Sequence, residues 1–162
     1  MMDGLFILLG SNIEDQNYFI EKAGKELSMI FGPALMKSSL YETEPWGNKN
    51  QPWFLNQVLI HQFVFSDPLT VLEQIKSIET KVGRKRREKW GPREVDIDIL
   101  YWYDEVFQND KLEIPHLFIA ERKFTLLPLV EVAPNKIHPV SGKTQLQLLS
   151  ECKDNSEVKI KR

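Results

Sequence analysis

The order of strand and helix patterns between Leu5 and Tyr103 is the feature that most restricts the fold of this chain. An uninterrupted apolar run from Leu5 to Leu9 predicts a short buried strand. Apolar residues at helical spacing then predict a helix from about Asp15 to Phe31. Two more strands are predicted at Leu35 to Tyr41 and at Phe54 to Phe65, the second rich in β-branched and aromatic residues. The chain therefore begins with the order strand, helix, strand, strand.

The next two elements complete this order. Asp67 can cap a second helix, Pro68 suits its first turn, and Gly83 is placed to end it. From Glu94 to Tyr103 the residues alternate as in a strand. Strand, helix, strand, strand, helix, strand is the order of the ferredoxin-like, split βαβ arrangement. We therefore expect an α+β fold, with an antiparallel sheet and helices packed on one face.

The size and composition of the chain suit one domain. Its 162 residues, 42% of them hydrophobic, can bury a core without disulfides or metals, so we expect a single domain over residues 1–162. The single cysteine, Cys152, excludes an intramolecular disulfide framework and indicates a cytoplasmic context. No apolar stretch approaches the roughly 20 residues that cross a bilayer, so we expect no membrane association. One more helix is predicted from Lys123 to Val132, and the polar tail from Ser150 to Arg162 is expected to be only partly ordered.

The basic residues are concentrated in one segment. Residues 81–93 contain seven lysines and arginines and one glutamate, whereas the whole chain has a net charge of −2. An acidic body with one basic loop indicates a local site for a small phosphorylated ligand, because the rest of the chain would repel a long polyanion. A solvated loop, a localisation signal and an RNA-binding patch are the alternatives. We expect no nucleic-acid partner.

Two aspartates follow the basic segment. Asp96 and Asp98 are two residues apart on a predicted strand, so both side chains project from one face, while Ile97 and Ile99 point into the core. Two carboxylates without partners would repel each other, and divalent cations between them would remove that cost. Carboxylates completed by phosphate oxygens suit Mg²⁺. With Arg93 as a phosphate ligand, the pair predicts a phosphoryl-transfer site, and an exposed acidic strand edge is the alternative.

Motifs along most of the chain resemble those of one enzyme family. They are Leu9-Gly10-Ser11-Asn12, Ser38-Ser39-Leu40-Tyr41-Glu42-Thr43-Glu44-Pro45, Phe54-Leu55-Asn56, Gly83-Arg84 with Arg86, Trp90-Gly91-Pro92-Arg93, Asp96-Ile97-Asp98, Ile114-Pro115-His116 and Glu121-Arg122 with Phe124. In these motifs the chain is similar to 6-hydroxymethyl-7,8-dihydropterin pyrophosphokinase. The resemblance implies transfer of a pyrophosphoryl group from ATP to the hydroxymethyl oxygen of the reduced pterin, a step of folate synthesis that releases AMP. We expect a monomer whose partners are these two small-molecule substrates.

The resemblance also implies a role for each matching residue. Asp96 and Asp98 would hold two Mg²⁺ ions that bridge the triphosphate. The residues implied in catalysis are Asp96, Asp98, Arg93, Arg84 and Arg86, the last two approaching as the basic loop closes. Contacts with the nucleotide are implied for Glu79, Arg93, Ile99, His116 and Arg122. The pterin would lie between Phe54 and Phe124 with Asn56 on its polar edge, and its pocket would be completed by Gly10, Thr43, Pro45, Trp46, Trp90 and Asp96.

Some positions depart from the family pattern or have simpler explanations. Glu44 and Trp46 lie where the family often has proline and leucine, which leaves the shape of this pterin-side loop open. Leu117 stands where many relatives carry a polar or aromatic residue, so a side-chain contact with the nucleotide is lost there. An ordinary core, loop or surface role is the alternative for Phe54, Phe124, Glu79, His116 and Arg122. Two other functions stay open: a non-catalytic RNA-binding module, and a kinase of another heteroaromatic alcohol.

Overall fold

A computed structural model describes residues 3–85 and 89–162 of the chain. Those residues form a mixed α/β structure with four helices, one main antiparallel sheet and one small two-stranded sheet. In chain order the elements are β1 (Leu5–Ser11), α1 (Gln16–Phe31), β2 (Met36–Lys37), β3 (Tyr41–Thr43), β4 (Phe54–His61), α2 (Pro68–Val82), β5 (Asp96–Trp102), β6 (Phe107–Gln108), β7 (Glu113–Ile114), α3 (Lys123–Val132), α4 (Gln145–Glu151) and β8 (Val158–Ile160).

The main sheet is built around β1. Its strands follow the order β5, β1, β4, β3, β8, every neighbouring pair is antiparallel, and β2 also pairs with β4. All seven residues of β1 are buried. A continuous apolar run is what a strand needs when both faces of its sheet are covered. The strand therefore has a hydrophobic core on each side.

Helices cover both faces of the sheet, so the expectation that they pack on one face is wrong. Ile7 and Leu9 of β1 lie in the core that α1 and α2 cover. Phe6 and Leu8 point the other way, into a second core formed with α3 and α4. The physical reason is that side chains on both faces of β1 are apolar. Helices on the second face remove Phe6 and Leu8 from water, which is favourable.

The second helix has the boundaries that its sequence predicts. The side chain of Asp67 accepts a hydrogen bond from the backbone N–H of Thr70 at 3.1 Å, and Pro68 lies in the first turn. Gly83 ends α2 with a φ of 121°, a conformation that glycine adopts without steric cost. The predicted helix from Lys123 to Val132 is also confirmed.

Two predicted strands have different bounds in the structure. The segment Leu35 to Tyr41 contains β2 and only the first residue of β3. The pairing is interrupted at Ser38, because its side-chain hydroxyl, and not a backbone carbonyl, accepts the hydrogen bond from the N–H of Val58 at 2.9 Å. Strand β4 ends at His61, before Phe63 turns to a φ of 57°.

The C-terminal region is more structured than its composition suggests. A capping box at Thr144 and Gln147 opens α4, which the sequence analysis did not predict. Strand β8 pairs with β3, so the expectation of a partly ordered tail is wrong for these residues. Among the described residues, no helix is both long enough and apolar enough to cross a membrane.

Candidate active site

Four neighbouring strands bring the predicted site residues together at one end of the sheet. Gly10, near the end of β1, lies opposite Asp96 on β5 and opposite Asn56 on β4. On the next strand, Thr43 lies opposite Phe54. Because antiparallel pairing fixes which residues face one another across strands, these side chains meet although they are distant in sequence.

Asp96 lies between two arginines. Its Oδ1 accepts a hydrogen bond from Arg84 at 3.0 Å, and its Oδ2 accepts one from Arg93 at 2.9 Å. The sequence analysis expected two carboxylates without protein partners, and for Asp96 this is wrong. Both carboxylate oxygens are already bound by guanidinium groups, so a metal ion would have to share or replace these contacts.

The neighbouring carboxyl group of Asp98 has a strongly shifted pKa. Burial and, after it, the nearby charge of Asp96 raise the pKa of Asp98 to about 8, against the opposing effect of Arg122 and Arg93. A carboxyl group in this environment gains from an additional positive charge close by. The described residues contain no group of three or more His, Cys, Asp or Glu side chains that could hold a metal ion. The aspartate pair would therefore need oxygen ligands from a substrate or water.

Glu79 joins the end of α2 to the aspartate strand. It is 9% exposed, accepts the backbone N–H of Ile97 at 3.0 Å, and forms a salt bridge with Arg84. Burial raises the pKa of Glu79, and the charge of Asp96 also raises it, while Arg84 opposes the shift. Arg84 thus bridges Glu79 and Asp96, which the sequence analysis did not foresee.

A cavity of about 640 Å³ opens in front of these residues. It is large enough for a nucleotide, since ligand pockets typically span roughly 300–1,000 Å³. Six basic side chains line it against three acidic ones: Lys76, Arg84, Lys85, Lys89, Arg93 and Arg122 against Glu79, Asp96 and Asp98. An excess of positive charge in a cleft attracts a polyanion such as a triphosphate.

His116 lies at the border of this cavity with a second one of about 370 Å³, and both cavities include it in their linings. Burial and, after it, the charge of Arg122 lower the pKa of His116 to about 4. Its Nδ1 is 3.2 Å from the N–H of Phe118 and accepts from it, so the neutral ring keeps its Nε2 proton for donation. Ile99 lines the second cavity but is otherwise packed in the core, at 4% exposure.

The predicted pterin residues surround a smaller pocket of about 50 Å³. Its lining includes Gly10, Thr43, Trp46, Phe54, Asn56, Trp90 and Phe124. Asn56 is 3% exposed, and its amide nitrogen donates to Thr43 Oγ1 at 2.8 Å. Pro45 is buried beside this pocket and is not among the residues that line it.

The large cavity of about 640 Å³ and the small pterin pocket share one wall. Five residues line both the large cavity and the small pocket: Trp90, Arg93, Asp96, Asp98 and Arg122. The aspartates and the two arginines therefore face a polyanion-sized space on one side and an aromatic slot on the other. Arg86, the remaining predicted catalytic residue, lies outside the described residues.

Two polar residues that hold the site together were missed as functional residues. Asn12 Oδ1 accepts the N–H of Arg93 at 2.9 Å, and its amide nitrogen donates to Gln51 Oε1, also at 2.9 Å. Gln51 in turn donates to the carbonyl oxygen of Trp90 at 2.7 Å. The sequence motif around Asn12 was visible, but its contacts with two distant loops depend on the fold.

Comparison with known proteins identifies the family. The profile of the 7,8-dihydro-6-hydroxymethylpterin-pyrophosphokinase (HPPK) family matches residues 6–134. The chain belongs to this family. It is 43% identical over 142 residues to the 2-amino-4-hydroxy-6-hydroxymethyldihydropteridine pyrophosphokinase of Aquifex aeolicus, covering 88% of each chain. It is 33% identical over 156 residues to the protein of the same name from Haemophilus influenzae, covering 96% of each.

Longer proteins also contain a similar region. The chain is 40% identical over 135 residues to the folic acid synthesis protein fol1 of Schizosaccharomyces pombe, covering 83% of this chain and 18% of that protein. The fold is similar to that of wild-type Plasmodium falciparum HPPK-DHPS, with a TM-score of 0.69 at 18% identity. That alignment covers 93% of this chain and 45% of the Plasmodium chain.

Membership confirms the family that the sequence motifs indicated. HPPK enzymes transfer a pyrophosphoryl group from ATP to hydroxymethyldihydropterin in folate biosynthesis, with a general dependence on ATP and Mg²⁺, and this chain is such a pyrophosphokinase.

Proposed function

We propose that the pyrophosphoryl group passes from ATP to the pterin at the wall that the two cavities share. The observation that carries this proposal is the set of charged residues common to both linings: Arg93, Asp96, Asp98 and Arg122. Charged side chains that face both substrates can stabilise the charge on the transferred phosphates while the acceptor hydroxyl lies close to the β-phosphorus. In the reaction a new bond joins the hydroxymethyl oxygen to the β-phosphorus, the bond from that phosphorus to the α–β bridging oxygen breaks, and AMP leaves with the oxygen.

The large cavity takes the nucleotide in this proposal. Its excess of basic side chains suits a triphosphate, and Glu79 and His116 lie at its inner side, where they reach the rest of the nucleotide. His116 is neutral at pH 7 and offers an Nε2–H donor. Ile99 is buried, so its contact with a nucleotide would be limited to the small part that lines the adjoining cavity.

The small pocket takes the pterin. Phe54 and Phe124 supply aromatic faces, and the Asn56 carboxamide supplies a polar edge near Thr43 and Gly10. A flat, bicyclic substrate with amide-like edges matches a slot that combines aromatic rings with a few fixed polar groups. At about 50 Å³ the pocket is smaller than typical ligand sites of roughly 300–1,000 Å³, so its side chains must move to admit the pterin.

Asp96 and Asp98 fit Mg²⁺ as ligands. They are adjacent carboxylates in a site where the phosphates of ATP would complete the coordination, which is the usual arrangement for Mg²⁺ in phosphoryl transfer. We propose two ions, which when bound would neutralise phosphate charge and orient the substrates. The chain's own contribution is to hold the triphosphate with Arg93 and Arg122, to release Arg84 from Asp96, and to exclude water with Trp90.

We also propose the finer fold assignment and the cellular context. The strand order β5, β1, β4, β3 with two crossing helices supports a ferredoxin-like split βαβ core, extended by α3, α4 and β8. We propose a monomeric single-domain enzyme over residues 1–162, in which the large cavity and the small pocket lie side by side. ATP and a reduced pterin as substrates, together with one free cysteine, support a cytoplasmic location.

A phosphorus NMR time course with ATP, Mg²⁺ and 6-hydroxymethyl-7,8-dihydropterin tests the reaction. AMP and a pterin diphosphate should appear together. ADP with a pterin monophosphate would replace pyrophosphoryl transfer by ordinary phosphorylation. Absence of turnover by a folded sample would count against the function, and tight, salt-dependent RNA binding without Mg²⁺ would then support the RNA-binding alternative.

Conservative variants test the metal ligands. Asp96→Asn and Asp98→Asn should each lower the rate by at least about 100-fold, since each removes preorganised charge at the transferred phosphates. Electron paramagnetic resonance of Mn²⁺ added with a non-hydrolysable ATP analogue should show weaker metal binding in both variants. Asp110→Asn, at an exposed carboxylate outside the cavity linings, is the matched control. Full activity of either active-site variant would refute the metal role.

A further inference from the structure

Trp46, which stands where the family often has leucine, lies at the centre of an aromatic cluster. Its ring centroid is 5.7 Å from that of Trp90 and 5.5 Å from that of Phe118. The guanidinium carbon of Arg122 lies 4.5 Å from the Trp46 ring. Trp46 thus connects the pterin-side loop, the basic loop and the segment before α3.

The arginine in this cluster is enclosed by rings. Besides Trp46, the guanidinium of Arg122 lies 4.7 Å from the Phe118 ring, 5.6 Å from the Phe124 ring and 5.7 Å from the Trp90 ring. A cation that is removed from water is stabilised by the faces of aromatic rings, and tryptophan is the best of these partners. The closest of the four rings is that of Trp46.

Arg122 still has unused hydrogen-bonding capacity. It is 7% exposed, and its buried Nε has no hydrogen-bond partner among the described residues. None of the salt bridges among those residues includes it, although the charges of Asp98 and Asp96 act on it. A buried donor without a partner is costly, and a phosphate oxygen would satisfy it. In the ring cluster the guanidinium of Arg122 therefore lacks a hydrogen bond that an anion, such as a phosphate group, would supply.

The same cluster closes the pterin pocket. Trp46, Trp90, Arg122 and Phe124 all line this pocket, whose volume is about 50 Å³. Ligand pockets typically span roughly 300–1,000 Å³, so some of these side chains must move before a bicyclic pterin fits. Entry of the pterin must therefore disturb the contact of Arg122 with Trp46.

We propose that Trp46 is a positioning residue that couples the two substrate sites through Arg122. Before the pterin binds, Trp46 holds the guanidinium beside the pterin pocket. When the pterin displaces the rings, the guanidinium turns to the triphosphate on the other side of the shared wall. The proposal rests on the pyrophosphokinase site described above. Coupling of binding free energies is reciprocal, so each substrate should tighten the binding of the other.

Calorimetric titrations measure this coupling directly. The dissociation constant of α,β-methylene-ATP with Mg²⁺ is determined with and without 6-hydroxymethyl-7,8-dihydropterin. In the wild type we expect the pterin to tighten nucleotide binding by about fivefold or more, the lower end of typical coupling between sites. Trp46→Leu should reduce the factor to less than about twofold, and Trp46→Phe, which keeps an aromatic face, should retain most of it.

Two further variants separate coupling from a general structural effect. The control variant is Trp53→Leu, which removes a tryptophan from the same region. The Trp53 ring lies 5.5 Å from Lys159 Nζ and does not line the pterin pocket, so coupling between the substrates in this variant should equal that of the wild type. Arg122→Lys keeps the charge but loses the planar guanidinium, and it should reduce the coupling as Trp46→Leu does. If Trp46 acts through Arg122, the double variant should be no worse than either single variant.

The outcomes distinguish this inference from the function on which it rests. An active wild type whose coupling survives in Trp46→Leu would overturn the role of Trp46 and leave the pyrophosphokinase activity intact. Additive losses in the double variant would also overturn it. A wild type that forms no AMP and no pterin diphosphate would overturn both. If Trp46→Leu does not fold, the comparison of Arg122→Lys alone with Arg122→Lys combined with Trp46→Phe decides the same question.

Discussion

Replacing Gly10 by alanine tests how closely the pterin pocket is packed. A Cβ atom on Gly10 would lie 2.8 Å from Oδ1 of Asn56 and 3.7 Å from a ring carbon of Phe54. The carboxamide of Asn56 has little freedom to move away, because it is buried and hydrogen-bonded to Thr43. Gly10 does not have a positive φ, so alanine would not strain the backbone there. Any effect must come from the contact with the Asn56 side chain.

The magnitude follows from the two interactions that are lost or strained. Breaking the bond from Asn56 to Thr43 costs about 0.5–1.5 kcal/mol, and overpacking a filled region costs about 1–3 kcal/mol. We therefore expect the free energy of unfolding to fall by about 2–4 kcal/mol, which for a chain of this length lowers the melting temperature by roughly 4–16 °C. A displaced Asn56 also misses the edge of the pterin, so the KM for the pterin should rise about tenfold or more, while that for ATP changes little.

Thermal unfolding and steady-state kinetics with each substrate varied in turn provide the assay. The matched control is Gly24→Ala in α1, where a Cβ would meet nothing within 4 Å. That change should raise stability by up to about 1 kcal/mol, because alanine favours the helix. If Gly10→Ala had the wild-type melting temperature and a pterin KM within about twofold of the wild type, the packing argument would be refuted.

Three further predictions concern polar contacts. Asn12→Ala should lower kcat/KM about tenfold in steady-state assays without changing the circular dichroism spectrum, because the N–H of Arg93 loses its acceptor; an unchanged kcat/KM would contradict this. Lys136→Met should lower the free energy of unfolding in urea by about 2–4 kcal/mol and leave activity per folded molecule unchanged, because the buried amine bonds three oxygens at the sheet edge far from the site. Burial raises the pKa of Glu131, but its bonds from Tyr41 and the neighbouring loop outweigh this and lower it, so the contribution is present above about pH 4.5 and is lost below. Glu131→Gln should therefore reduce stability at pH 7 by less than about 1 kcal/mol, with the difference shrinking as the pH falls below about 4.5, and a loss that does not change with pH would argue against a charged partner.

The parts of the site that could be predicted from the sequence are local. Asp96 and Asp98 share a face because alternation along a strand is a property of the backbone, and the ends of α2 follow from Asp67 and Gly83. The motifs of the family also lie in short runs. Such features need no knowledge of which distant segments meet.

The features that could not be predicted depend on contacts between distant segments. Nothing near Asn12 in the sequence shows that it binds the backbone of Arg93, and nothing near Arg84 shows that it binds the carboxylate of Asp96. The apolar run of β1 indicates burial, but the helices that cover its second face come much later in the chain. Long-range pairing decides these arrangements.

Strand β3 carries Thr43 of the pterin pocket, and it is only three residues long. It is held between β4 on one side and β8 on the other, with Thr43 opposite Val158. During synthesis the pocket wall therefore has one bare edge until residues 158–160 have left the ribosome. A nascent chain that lacks them would expose unpaired backbone groups next to the substrate pocket, where other strands can add. Competence to bind the pterin thus depends on a strand that is synthesised long after the strand that carries Thr43.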